Sequence, residues 1–149
     1  MVSKMKNARY VRSFRELLVY RKANEVAKRI FDISRKFPKE EVYSLTDQIR
    51  RSSRSIGAQI AEAWGKRRYE KHFVSKLTDA DAERVETQHW LDVTIACEYI
   101  SKNEREVLET QLEEIGRMLN AMMAKSHLFC KQGYLVIKEE PNEFLIDDT

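Results

Sequence analysis

A chain of 149 residues, 42% hydrophobic and 34% charged, can build one domain around one core and does not have the composition of a disordered polymer. Only 4 glycines and 2 prolines interrupt it, no apolar run reaches the ~18 residues of a membrane span, and two cysteines cannot make a disulfide framework. The net charge is +3, split unevenly: residues up to Ser75 carry 19 basic and 8 acidic side chains (+11), and those from Lys76 onward carry 8 and 16 (−8).

These bounds exclude a helical membrane protein and a disulfide-stapled module. They predict long helices in a reduced, cytoplasmic setting. The basic half attracts RNA or DNA; the opposite halves equally attract each other, within one chain or between subunits.

Residues 1–12 are basic, with no apolar stretch after them, and read as an arm, not a secretory leader. A first helix is predicted over Ser13 to Phe37. Phe14, Leu17, Leu18, Ala23, Ala27, Ile30, Phe31 and Ser34 recur three or four apart, an apolar stripe. Ser13 and Glu16 have capping-box spacing, and Pro38 ends the helix. "PKEEVYS" is a short connection.

The second helix is "SLTDQIRRSSRSIGAQIAEAWG", Ser44 to Gly65. Leu45, Ile49, Ser52 or Ser53, Ile56, Ile60 and Ala63 form its inner stripe. Ser53, Ser55, Gly57, Ala58 and Ala61 are small enough to admit a neighbouring backbone. Arg50 and Arg54 share a face one turn apart, with Arg51 beside them. Gly65 is the stop, and Lys66, Arg67 and Arg68 follow at the negative end of the dipole.

A third helix is predicted over Tyr69 to Ile100, with Phe73, Leu77, Ala80, Thr87, Leu91, Ile95 and Tyr99 in register; Arg84 and Thr87 interrupt an otherwise apolar stripe. A fourth spans Glu104 to Phe129. Its apolar side is Val107, Leu108, Leu112, Ile115, Met118, Leu119, Met122 and Met123. The first and third helices measure roughly 35 to 45 Å at about 1.5 Å per residue. The fold class is all-α, an antiparallel up-down four-helix bundle over residues 13–129. Periodicity fails from Cys130, so 130–149 is expected as a loosely attached tail in which "YLVIKEE" has the makings of a short strand.

The chain resembles a known family at this level. "F-x-x-L-x-V-Y-x-x-A" at Phe14 to Ala23, "FPKEE" at Phe37 to Glu41, the second-helix motif from Ser44 to Gly65, and "ETQHWL" at Glu86 to Leu91 are similar to the small bacterial four-helix-bundle proteins first found in intervening sequences of 23S ribosomal RNA genes, the S23 family. The likeness covers about Phe14 to Lys125. It implies a homopentamer. It also implies a relation to accessory proteins of diversity-generating retroelements, which bind a reverse transcriptase and nucleic acid. Gln48, Arg50, Arg51, Ser55, Ile56, Ile60, Ala61 and Glu62 carry the family pattern. Gln59 stands where many members have asparagine, and Ala63-Trp64 where a glycine then an aromatic is common. A fold family does not by itself supply a role.

Two readings compete for the arginines. Arg50, Arg51 and Arg54, with Lys66, Arg67, Arg68 and Lys71 nearby, suit sequence-independent phosphate contact. Alternatively they pair with Glu62 or with carboxylates of another helix, lacing the bundle or joining subunits. Glu62 and Glu86 are the expected partners for Arg50, Arg51 or Arg84.

Glu86-x-x-His89 has the spacing of a carboxylate-bundle metal half-site, but the second pair is missing. Cys97 has no adjacent base and reads as a buried, inert thiol. No nucleophile elbow, phosphate loop or zinc-protease motif is present. The expectation is therefore a non-enzymatic homo-oligomer without cofactor or metal. Trp64 and Trp90 are expected at helix contacts or between subunits.

Overall fold

The computed structural model describes residues 9–130, 137–138 and 143–147. Its main helices are α1 (Leu18–Ser34), α2 (Leu45–Gly65), α3 (Glu70–Ala96) and α4 (Lys102–Ala124), followed by a single turn, α5 (His127–Cys130). Each of the four long helices packs on its neighbours in sequence, and α4 returns to α1. This closed ring is the up-down four-helix bundle that the periodicity predicts.

The inner stripe of α2 is buried along its whole length: Leu45, Ile49, Ser52, Ser53, Ile56, Ile60 and Ala63. Facing it are Ala23, Ala27 and Ile30 of α1, Phe73, Leu77 and Leu91 of α3, and Leu112, Ile115 and Leu119 of α4. Val107 departs from expectation and is 43% exposed. It sits one step around the helix from buried Leu108, so its side chain points out of the seam.

Small residues set the closest approaches. A Cβ on Gly57 would lie 2.8 Å from Asn24 Oδ1, so α1 and α2 meet where α2 has no side chain. The Thr87 hydroxyl, buried between α2 and α3, bonds Ser52 Oγ at 2.9 Å and the Glu83 carbonyl at 2.8 Å. The polar interruption of the third stripe is thus satisfied inside the core. Arg84 is accommodated differently. Its guanidinium lies over Gly116 of α4, where a Cβ would meet Arg84 Cζ at 2.7 Å, and it pairs with Asp81 at 2.7 Å.

Both ends of the helices depart from the expected boundaries. Ser13 and Glu16 do form a capping box, but on a single 3₁₀ turn, Phe14–Glu16. Leu17 is extended and α1 starts only at Leu18. At the far end, α3 stops at Ala96, short of Ile100, and Glu98 takes a left-handed φ of 60° to turn the chain. Ser101 then caps α4 through a capping box with Glu104.

The cause of the early break lies at the other end of the sequence. Leu17 bridges Leu145, the Leu18 amide donates to the Phe144 carbonyl at 2.8 Å, and the Ile146 amide donates to the Glu16 carbonyl at 3.0 Å. Phe144 and Leu145 are 6% and 4% exposed, with the Phe144 ring edge-on to Phe129. Further out, Arg9–Tyr10 (β1) pairs antiparallel with Ile137–Lys138 (β2). The expected loose tail is instead, over 143–147, a clasp that joins the two ends of the chain. The strand suggested by "YLVIKEE" is present at Ile137–Lys138; its other residues lie outside the described part, as do residues 1–8 of the arm.

Candidate functional site

A groove of about 650 Å³ lies between the end of α1 and the first half of α2. It is lined by Arg50, Arg51 and Arg54 of α2, by Ser34 and Arg35 at the end of α1, and by Lys39, with Asp47 as its acidic member. One phenyl ring organises the arginines. The guanidinium carbons of Arg50, Arg35 and Arg54 lie 4.6, 4.7 and 5.2 Å from the centroid of Phe31. Cation–π attraction holds each of them while their like charges repel.

Arg50 is fixed further: its Nε donates to Ser34 Oγ at 2.7 Å, which leaves both terminal amino groups for another partner. Among the described residues, no carboxylate lies within 4.0 Å of Arg35, Arg50, Arg51 or Arg54 in an ion pair. Arg51 is the one whose charge is felt across the bundle. Burial and the neighbouring Glu86 raise the Glu83 carboxyl above its ordinary value, and Arg51 opposes that shift.

The expected carboxylate partners go elsewhere. Glu62 pairs with Lys76 at 2.7 Å on the surface, and this hydrogen bond holds its carboxyl below the usual range. Gln59 accepts a second bond from the same ammonium at 3.0 Å. Glu86 is exposed and accepts from the Trp90 indole at 3.3 Å. The anticipated pairing of Glu62 or Glu86 with Arg50, Arg51 or Arg84 is therefore corrected. Gln48 and Ser55 are half-buried on the flanks of α2, and Trp90 covers the side of the bundle.

Lys66, Arg67, Arg68 and Lys71 do not join the groove. They cluster at the opposite end of α2, roughly 20 Å away by helical rise. Arg67 is structural there: its guanidinium stacks 3.5 Å from the Trp64 ring and its Nε donates to the Trp64 carbonyl at 2.8 Å. Arg68 lies 5.8 Å from the Tyr69 ring. Lys66 and Lys71 are exposed.

Sequence reading missed Arg35, Lys39 and the organising role of Phe31. The available signal was the spacing: Arg35 follows Phe31 by four, one turn along α1.

His89 packs edge-on to Trp90, with no matching carboxylate–histidine pair. Among the described residues, no cluster of three or more His, Cys, Asp and Glu side chains is arranged to hold a metal. Cys97, expected to be buried, is exposed because the helix ends at Ala96 just before it, while burial pushes the Cys130 thiol up to about 11. No helix among the described residues is long and apolar enough to cross a membrane.

Residues 15–121 match the model of the 23S rRNA-intervening sequence protein family. The chain is 32% identical to a protein of unknown function from the S23 ribosomal protein family of Bacteroides thetaiotaomicron. The likeness to that crystal structure covers 71% of this chain and 98% of the other, at a TM-score of 0.65. No curated protein matches the chain.

Proposed function

This chain belongs to the 23S rRNA-intervening sequence protein family, and on that premise we propose that it acts as a non-enzymatic, nucleic-acid-binding protein that contacts the phosphate backbone through the α1–α2 groove. One observation carries the reading. Three guanidiniums crowd one phenyl ring, none in an ion pair among the described residues. A phosphate placed between them removes their mutual repulsion and accepts forked hydrogen bonds. Such contacts position the polymer without reading bases.

The test is a titration of the full chain with labelled structured RNA and duplex DNA at about 50 and 200 mM salt. Binding should show little sequence preference and weaken by a factor of ten or more between the two conditions. Failure to bind either polymer at the lower salt would remove the proposal.

Self-association is a second part of the reading, favoured by a different observation. Across the bundle from the basic groove, the α3–α4 groove is lined by Glu106, Glu109 and Glu113, with Lys102 and with Asp92, which pairs with Arg105 at 2.9 Å. Opposite charge on opposite faces suits head-to-tail assembly, which closes into a ring when the rotation permits. Light scattering at micromolar concentration should give a multiple of the 17.6 kDa chain mass, with five the number implied by the family resemblance. A monomer would end this part of the reading and leave the first intact.

A further inference from the structure

The two ends of α2 differ in a way that bears on which form of nucleic acid binds. The groove end offers guanidiniums for phosphate. The other end offers an exposed aromatic ring. Tyr69, at the start of α3, is 58% exposed. The His72 ring stands edge-on at 5.3 Å, and the Arg68 guanidinium carbon lies over the ring at 5.8 Å. The adjacent carboxylate, Glu70, is drawn toward α5, where it accepts from Ser126 Oγ at 2.5 Å. An exposed aromatic ring beside a guanidinium, on the turn between α2 and α3, is a surface on which a base can stack.

Small residues line α2 between the two ends. Arg54, Ala58, Ala61 and Gly65 succeed one another three or four apart on α2, hence on one stripe. Arg54, Ala58 and Gly65 are exposed, and a Cβ on Gly65 would meet nothing within 4 Å. The acid beside this stripe, Glu62, is neutralised by Lys76. Between Arg54 and Gly65 the one carboxylate of α2 is thus paired, and the small side chains of the stripe leave room for a phosphate chain.

We propose that α2 is a track for single-stranded nucleic acid, with phosphates held at Arg50 and Arg54 and an unstacked base resting on Tyr69. This rests on the nucleic-acid reading above and adds the strand form. A duplex keeps its bases inside its own stack and has none to offer the ring, whereas every base of a single strand has a free π-face.

The experiment compares wild type, Tyr69→Ala and Tyr69→Phe in the full chain. Each is titrated at about 50 mM salt with a labelled single strand of about twelve nucleotides, long enough to span the track, and with the duplex of the same sequence. Circular dichroism and light scattering first establish that fold and assembly are kept. Tyr69→Ala should weaken single-strand binding about tenfold and Tyr69→Phe less than about twofold, with duplex affinity unchanged in both. If wild type binds single strands and Tyr69→Ala binds them equally well, the track is wrong while the groove reading stands. An equal loss for the duplex would make Tyr69 a residue of fold or assembly and overturn the proposal. Vesicles of phosphatidylserine and phosphatidylcholine provide the last arm: Tyr69-dependent vesicle binding that displaces the strand would reassign the surface to lipid. If wild type binds no nucleic acid at all, the groove reading falls together with this one.

Discussion

Phe144→Ala should lower the unfolding free energy by about 3 kcal/mol or more, the range for removing a buried phenyl ring. The ring is 6% exposed and stands 5.2 Å from the Phe129 ring, which in turn packs 5.5 Å from Phe73 of α3. The loss therefore opens a cavity at one end of the bundle. It also loosens the carbonyl that accepts the Leu18 amide at the start of α1. Denaturant unfolding of wild type and variant measures it. A change below about 1 kcal/mol, with the m-value unaltered, would mean that residues 143–147 add little to the fold. The size of the effect is notable because this segment lies beyond the residues that match the family model.

The largest effect on binding is expected from reversing two charges in the groove. Arg50/Arg54→Glu should weaken RNA binding at least about a hundredfold at roughly 100 mM salt and make the salt dependence shallower by about two phosphate contacts. Stability should change by no more than about 2 kcal/mol: neither arginine has a salt-bridge partner among the described residues, and what is lost is the cation–π contact with the half-buried Phe31 ring and the hydrogen bond from Arg50 to Ser34. Oligomeric mass is compared first, so that a loss of assembly is not mistaken for a loss of contact. Lys28→Glu supplies the control. It carries the same sign change on α1, but Lys28 already pairs with Asp32 at 2.7 Å and does not line the groove. Double-variant binding indistinguishable from wild type would show that phosphate is held elsewhere.

The helical framework was legible because periodicity is a property of each helix alone. Leu45 to Ala63 could be placed on the inner face without knowing what faced them. Features that depend on a distant partner were not legible. Leu17 fits a helical stripe perfectly well in sequence and is extended only because Leu145 arrives to pair with it. The end of α3 was hidden for a local reason: the chain turns through a left-handed φ at Glu98, a position usually marked by glycine. Ion-pair partners were the least readable. Glu62 lies within eight residues of Arg54 and Arg68 in sequence yet is taken by Lys76 from the next helix. Arg84 in the third stripe looked like an interruption until Gly116, 32 residues on, provided the space for it.

In the candidate site, α2 supplied what sequence could show, the Arg50–Arg54 spacing. The other half comes from α1, where Phe31 counted as a core residue in the stripe. Its half-buried position leaves the ring within reach, and three arginines gather around it.

The clasp also has a consequence in time. Residues 143–147 are translated after every helix whose end they close. While the chain is still being made, Leu17, Phe129 and the start of α1 lack their cover, although the four helices can already find one another through contacts between neighbours in sequence. Closing the clasp joins residues more than 120 positions apart, so its loop entropy is lowered when the bundle has already brought the two ends together. Assembly of the helices therefore precedes and prepares the closing of the clasp, and a nascent chain presents an uncovered apolar end until residues 143–147 have been added.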